Sequence, residues 1–143
     1  MNINKTTKPF YECKVYMGCV DEKTKKKIKN KMLMNFIKET QDLNDIMIPL
    51  RFSRTVFLSG SNYQERGFEI AAINYPRMKI GSGYSAAIIK DFMNLLAESL
   101  MSKFNQKRVS VVDAKDVVMY EAETGEKDKL DEVIRRFQGH SHD

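Results

Sequence analysis

Two segments with the pattern of β-strands, joined by a short turn, constrain the fold of this chain most. Residues 50–59, LRFSRTVFLS, and 66–75, RGFEIAAINY, flank the sequence GSNYQE. Aromatic and β-branched residues favour strands, and a short connection with Gly and Asn favours a hairpin. The even positions of the first strand are apolar except at Arg54. A cation on a core face is costly unless it meets an anion or a wet pocket, so Arg54 indicates a candidate site.

The segment before this strand pair predicts a central strand and a helix. Residues 10–20 are apolar at odd and even positions, which is typical of a strand in the middle of a sheet. Asp21 is a candidate N-cap for a helix over residues 22–40. Apolar residues recur there at helical spacing, namely Ile28, Met32, Leu33, Phe36 and Ile37.

The segment after the strand pair predicts a long helix and further extended structure. The helix covers about residues 85–105, with Ser82 or Ser85 as its N-cap. One face of it is apolar and carries Ile89, Phe92, Met93, Leu96, Leu100 and Phe104. A strand over residues 108–112 and an extended piece over 117–122 follow, separated by a polar turn.

This order of elements predicts an α+β fold, a ferredoxin-like βαββαβ sandwich with an additional C-terminal helix. We expect a flexible leader over residues 1–9 and a single α+β domain over 10–122. An amphipathic helix over 127–138 packs on its own domain or on a second subunit, and residues 139–143 form a disordered tail. Two helices cover one sheet face, which leaves the other face for a ligand or a second copy.

Composition favours anionic partners and excludes a bilayer-spanning segment. The formal net charge is +5, and six lysines crowd into the predicted first helix: Lys23, Lys25, Lys26, Lys27, Lys29 and Lys31. A lysine run without interleaved aromatics is typical of a solvated face, and no nucleic-acid motif accompanies it. No apolar run approaches about 20 residues, and the N-terminus lacks a secretory signal, so we expect a cytoplasmic protein.

The cysteines and histidines predict no metal site. Cys13 and Cys19 share one strand, where extended backbone separates them beyond disulfide reach, so both are expected to be reduced thiols. His140 and His142 lie in the predicted tail. We therefore expect no metal and no cofactor.

The segment 65–77, ERGFEIAAINYPR, resembles a motif of small proteins encoded by phages and prophages. In that group an E-x-G turn leads through an apolar strand into I-N-Y-P-R. Residues 14–18, 108–112 and 118–121 agree with the same group, so the similarity covers about residues 13–121. The resemblance implies a phage-related origin, a bacterial host cell and a compact single domain. It brings no catalytic residue with it.

Polar and aromatic groups around the strand pair form the candidate binding site. Guanidinium groups hold phosphates through paired hydrogen bonds, asparagine reads a base edge or ribose, and aromatic rings stack on bases. The predicted ligand-binding residues are Arg51, Arg54, Thr55, Phe57, Glu69, Asn74, Tyr75 and Arg77. A structural interpretation is slightly favoured for Arg54, an internal ion pair with Glu69 that fixes the strand register.

The sequence favours binding over catalysis without excluding an enzyme. It contains no triad, dyad or metal-ligand spacing, so no catalytic residue is predicted. We expect a phage-derived, self-associating, non-enzymatic protein that sequesters a small anionic ligand, such as a nucleotide signal of bacterial immunity. The alternatives are a protein-binding inhibitor of a host factor and a small enzyme acting on a nucleotide.

Overall fold

The computed structural model describes residues 1–5, 7, 10–73 and 84–122. The elements in chain order are β1 (Glu12–Gly18), α1 (Asn30–Leu43), β2 (Leu50–Leu58), β3 (Gln64–Ile73), α2 (Ala86–Lys103), β4 (Arg108–Val112) and β5 (Val117–Glu121). Three predicted site residues, Asn74, Tyr75 and Arg77, lie outside the described residues. The predicted helix over 127–138 and the predicted tail lie outside them as well.

The five strands form one antiparallel sheet with the order β2-β3-β1-β4-β5. β1 lies in the middle, as its apolar residues at both parities predict. The sheet and two helices confirm the α+β class and are consistent with the predicted ferredoxin-like sandwich. The predicted extended piece over 117–122 is β5, which pairs with β4 at the edge of the sheet.

One face of the sheet and both helices enclose the core. The buried residues of β1 are Cys13, Val15 and Met17, and their register partners in β3 are Ala72, Ile70 and Phe68. These side chains cluster with the apolar faces of the helices. The helix residues in this cluster include Leu33, Ile37, Ile89, Phe92, Met93, Leu96 and Leu100. Burial of each large apolar side chain contributes about 1.5–3 kcal/mol, so this layer fixes the sheet against the helices.

The first helix begins later than its sequence pattern predicts, at Asn30 rather than at residue 22. The Asp21 carboxylate accepts the backbone N–H groups of Lys23 and Thr24 at 2.9 and 3.0 Å, which closes a turn instead of capping a helix. Lys25 then adopts a φ of 61°. Most of the lysine run therefore lies in an exposed loop, and the prediction of a lysine-rich helix is wrong there.

The second helix agrees with its prediction. The Ser85 side chain accepts the backbone N–H of Ile88 at 3.2 Å, as expected of an N-cap. α2 is the longest described helix, and it packs on β1 and β4 through its predicted apolar face. No described helix is long and apolar enough to cross a membrane.

Both cysteines are free thiols, as predicted from their spacing. Cys13 is fully buried in the core, and burial raises the pKa of its thiol to about 11. Cys19 is only half-buried and directly follows β1.

Candidate functional site

The face of the sheet opposite the helices, here called the open face, carries the candidate site. Successive side chains of a strand point to opposite sides, so Lys14 and Tyr16 of β1 face away from the core. Tyr16 lies opposite Glu69 in β3 and opposite Ser110 in β4. Aromatic, acidic and hydroxyl groups from three strands therefore meet on this face.

A hollow of about 330 Å³ opens on this face. It is lined by Tyr16, Met17, Gly18, Phe57, Glu65, Gly67, Arg108, Ser110, Val112, Val117 and Met119. Pockets for small molecules span about 300–1,000 Å³, so the hollow has room for a small organic ligand.

A pair of glycines forms the floor of the hollow. Gly18 and Gly67 are register partners on β1 and β3. A Cβ atom at Gly67 would collide with the carbonyl oxygen of Met17, so no other residue fits without a shift of the backbone. The two neighbouring strands therefore leave a space where paired side chains normally stand.

The same glycine brings two aromatic rings together. Tyr16 and Phe57 lie on strands on either side of β3, and their ring centroids are 5.2 Å apart at an interplanar angle of 74°. Because Gly67 has no side chain, the rings meet edge to face across it. Phe57 is 45% exposed, so part of its ring is free to contact a ligand.

Opposite charges alternate beside these rings. Lys14 Nζ lies 3.4 Å from Glu69 Oε1 and 3.3 Å from Glu12 Oε1, and Arg51 lies 3.6 Å from Glu69. The hydrogen bond to Glu12 is the main cause that raises the pKa of Lys14, and Glu69 adds to it. This part of the open face presents a carboxylate and an ammonium group side by side.

A carboxylate lines the hollow beside Phe57, because Glu65 is the register partner of Phe57. The Tyr63 hydroxyl donates to Glu65, and this hydrogen bond is the main cause that raises the pKa of Tyr63. Arg108 Nε donates to Glu121 at 2.7 Å on the adjacent strand pair. Glu65 and Arg108 are not among the predicted ligand-binding residues, although both have the parity of the open face.

A second hollow of about 280 Å³ adjoins the first. It is lined by Phe10, Tyr11, Glu12, Lys14, Tyr16, Val112, Asp113 and Ala114. The two hollows share Tyr16 and Val112 and therefore form one trough along β1 and β4. The first hollow is the end of the trough with Phe57, and the second is the end with Glu12 and Lys14.

The structure separates the predicted site residues between two faces. Arg51, Thr55, Phe57 and Glu69 have the parity of the open face. Arg54 lies on the opposite face, where it donates to Asn30 Oδ1 at 3.0 Å and stands 5.7 Å above the ring of Phe68.

The interpretation of Arg54 and Glu69 as an ion pair is therefore wrong. Arg54 is the register partner of Phe68, and Glu69 is the partner of Ser53. A shift of one position along a strand moves a side chain to the other face, so the two charges stand on opposite sides of the sheet. Glu69 pairs instead with Lys14 and Arg51.

In the part of the chain that the structure describes, no three His, Cys, Asp or Glu side chains converge in the way that a metal ion requires. The chemistry that the trough offers is that of aromatic faces, hydroxyl groups and paired charges.

Comparison with known proteins identifies the fold. No family model and no curated protein matches the sequence. The structure is similar to that of a phage SAM lyase in complex with S-methyl-5'-thioadenosine, with a TM-score of 0.60, 16% identity, and coverage of 86% of this chain and 98% of that chain. A phage SAM lyase in the apo state matches with a TM-score of 0.61, 15% identity and the same coverage. At these identities the likeness establishes a shared fold.

These neighbours contradict the main functional prediction. The non-enzymatic sequestering protein expected from the sequence is wrong as the leading interpretation, because both neighbours of this fold are named as lyases. The alternative prediction, a small enzyme acting on a nucleotide, agrees better with these neighbours. The neighbours are phage proteins, in line with the origin that the motif implies, and one of them is in complex with a small molecule, which is consistent with the expectation of a small-molecule ligand.

Proposed function

We propose that this chain is a lyase that cleaves S-adenosylmethionine (SAM) in the trough on the open face. One observation carries the proposal: a protein of the same fold binds S-methyl-5'-thioadenosine, and the first hollow offers aromatic rings above a glycine floor. That nucleoside keeps the adenosine, the sulfur and the methyl group of SAM. The bond that breaks is therefore the one between the sulfonium sulfur and the side-chain carbon of the amino acid portion.

The proposed reaction is an intramolecular displacement. The substrate's own carboxylate oxygen attacks that carbon, the carbon–sulfur electron pair stays on sulfur, and a lactone and a neutral thioether result. The step needs no water and no external proton. A negative and a positive charge neutralise each other in the transition state, and an apolar site that excludes water favours such a step. Val112, Val117 and Met119 supply apolar walls of this kind.

The trough has complementary groups along its length. The rings of Tyr16 and Phe57 would stack the adenine and contact the sulfonium cation through their faces. Glu12 and Lys14, at the other end, would bind the ammonium and carboxylate groups of the amino acid portion. Glu65 lines the first hollow and would stabilise the sulfonium charge while the substrate is positioned.

We further propose that a second copy of this chain covers the open face. Phe57, Val117 and Met119 line the trough and are 45, 72 and 53% exposed. Apolar side chains at this exposure are typical of an interface, and a second copy would exclude water from the reaction. Consumption of SAM by such an assembly in an infected bacterium fits the anti-defence role predicted from the sequence.

The test is to incubate the purified protein with SAM and to follow S-methyl-5'-thioadenosine by mass spectrometry. We expect its release, and proton NMR should show the lactone rather than an alkene. Glu65→Gln should lower kcat/KM about tenfold or more, because it removes a charge from the hollow. The matched control is Glu39→Gln, the same chemical change on the exposed surface of α1, which should retain full activity. Recovery of intact SAM at all protein concentrations would refute the proposal.

A further inference from the structure

A third hollow, which is basic, lies beside the edge strand β2 and shares Gly67 with the first hollow of the trough. It has a volume of about 230 Å³. Three cationic side chains line it, Lys27, Arg54 and Arg66, together with Cys19, Ile28, Thr55, Val56 and Gly67. Among the described residues that line it, none is acidic.

The strand register brings the two arginines together. Val56 is the partner of Arg66, and Arg54 is the partner of Phe68, so the two guanidinium groups are diagonal neighbours on one face of the hairpin. Lys27 comes from the lysine-rich loop before α1. Three like charges around one small hollow repel one another, and an anion placed between them removes that repulsion.

The nearest acidic groups of the lysine-rich loop are engaged elsewhere. Glu22 Oε2 lies 3.0 Å from Lys25 Nζ and 3.2 Å from Lys107 Nζ. The Asp21 carboxylate accepts two backbone N–H groups of its own turn and the side-chain amide of Asn105. These contacts leave the charge of the basic hollow uncompensated by this loop.

Arg54 is held in position before any ligand arrives. It donates to Asn30 Oδ1 at 3.0 Å and packs over the ring of Phe68 at 5.7 Å. A guanidinium group fixed in this way loses little conformational freedom on binding, and its planar array of N–H donors suits the oxygens of a phosphate.

We propose that the basic hollow binds a phosphate group, supplied by free phosphate or by a small phosphorylated metabolite. The phosphate oxygens accept hydrogen bonds from Arg54, Arg66 and Lys27. Ile28 and Val56 contact the organic portion where there is one. A volume of about 230 Å³ lies below the range of about 300–1,000 Å³ for larger ligands, which favours a compact anion over a nucleotide.

The phosphate site and the lyase are tested separately, because none of the side chains assigned to SAM lines the basic hollow. Phosphate binding to a protein that leaves SAM intact would support the site and refute only the lyase. Cleavage of SAM by a protein that does not bind phosphate would support the lyase and refute the phosphate site.

The experiment is an NMR titration of the ¹⁵N-labelled full chain with sodium phosphate, with sodium chloride at equal ionic strength as the reference. We expect saturable shifts at the backbone amides of Cys19, Ile28 and Val56 with phosphate alone. Glycerol phosphate is the second probe. If glycerol phosphate binds more tightly than inorganic phosphate, the ligand class is a phosphorylated metabolite. If the two bind equally, the ligand is free phosphate.

Charge-removing variants locate the site. Arg66→Gln and Lys27→Gln should each weaken phosphate binding about tenfold. The matched control is Lys23→Gln, which removes one charge from the same loop outside the hollow and should change the affinity less than about twofold. Arg66→Lys keeps the charge and loses the planar donors, so its phosphate affinity should lie between those of the wild type and Arg66→Gln.

Two results would overturn the proposal. One is a set of shifts that phosphate and chloride produce equally, or that do not saturate. The other is an equal loss of phosphate affinity in Lys23→Gln and Arg66→Gln, because the affinity would then depend on the net charge of the protein and not on the basic hollow. The melting temperature without phosphate shows whether each variant is folded. If Arg66→Gln does not fold, Lys27→Gln, in an exposed loop, provides the same test.

Discussion

The Asp113 side chain joins the turn between β4 and β5 to α2 and to Tyr11, which precedes β1. Its Oδ1 atom accepts the backbone N–H groups of Lys115 and Asp116 at 2.9 and 2.8 Å, which fixes the turn between β4 and β5. Its Oδ2 atom lies 3.3 Å from Lys90 Nζ on α2 and accepts the Tyr11 hydroxyl at 3.3 Å. The backbone N–H groups are the main cause that lowers the pKa of Asp113 to about 2.

This carboxylate makes stability dependent on acid pH. The pKa is lower in the folded than in the unfolded state, where it is about 3.9, so the contribution is complete above that value. It is lost as the pH falls toward 2. Asp113→Asn should lower the free energy of unfolding at pH 7 by about 1 kcal/mol and flatten the acid part of its pH profile. Urea unfolding between pH 2 and 7 measures both effects.

Asp116→Asn is the control for that variant. Asp116 also contacts Lys90, at 3.0 Å, but its side chain is 59% exposed. Exposed ion pairs contribute little, so this variant should keep the wild-type pH profile. An unchanged profile in Asp113→Asn would contradict the assignment of the acid dependence to Asp113.

At the scale of an element, α2 is fixed by its N-terminal cap and by its contact with the edge of the sheet. Ser85 accepts the N–H of Ile88 at the start of the helix. Asn94 Oδ1 accepts the Tyr120 hydroxyl of β5 at 2.8 Å, which joins the helix to the outermost strand. The position of the helix therefore determines where β5, one wall of the trough, stands.

Removal of the cap should destabilise the protein measurably. Ser85→Ala deletes the acceptor for one free N–H group, and we expect the free energy of unfolding to fall by about 1 kcal/mol. Ser102→Ala, near the exposed C-terminal end of the same helix, is the control and should be neutral or slightly stabilising. Equal losses in the two variants by urea denaturation would show that the Ser85 cap carries no special role.

At the scale of the whole molecule, the two faces of the sheet differ in composition and in use. One face is closed by the helices, and the other carries exposed apolar side chains that line the trough together with a few charged groups. Closed symmetric assembly through such a face is the common way for small proteins to bury it.

Self-association should therefore depend on the open face. Sedimentation equilibrium should give the wild type a mass that is a multiple of 16.6 kDa. Val117→Glu places a charge among the exposed apolar residues and should shift the mass to that of the monomer. Leu43→Glu is the control, since Leu43 is 87% exposed at the end of α1, and it should keep the assembly intact. A monomeric wild type would refute the proposed interface.

Local pattern determined most of the elements and the face of each strand residue. The predicted strand pair, 50–59 and 66–75, agrees with β2 and β3 to within about two residues at the described ends. Alternation also placed Arg54 on the core side of the hairpin, as the structure has it. The helix predicted from Asp21 onward does not form there, because the Asp21 carboxylate accepts the backbone N–H groups that a helix would need.

Only the tertiary structure decided which residues share a site. Alternation tells on which face a side chain lies, but not which residue of another strand stands beside it. The opposition of Gly18 and Gly67, the meeting of Tyr16 with Phe57, and the pairing of Lys14 with Glu69 all join residues far apart in the chain. The sequence by itself determined the elements, because their periodicity is local; the packed sheet determined the trough, because strand register is set by the burial of the whole core.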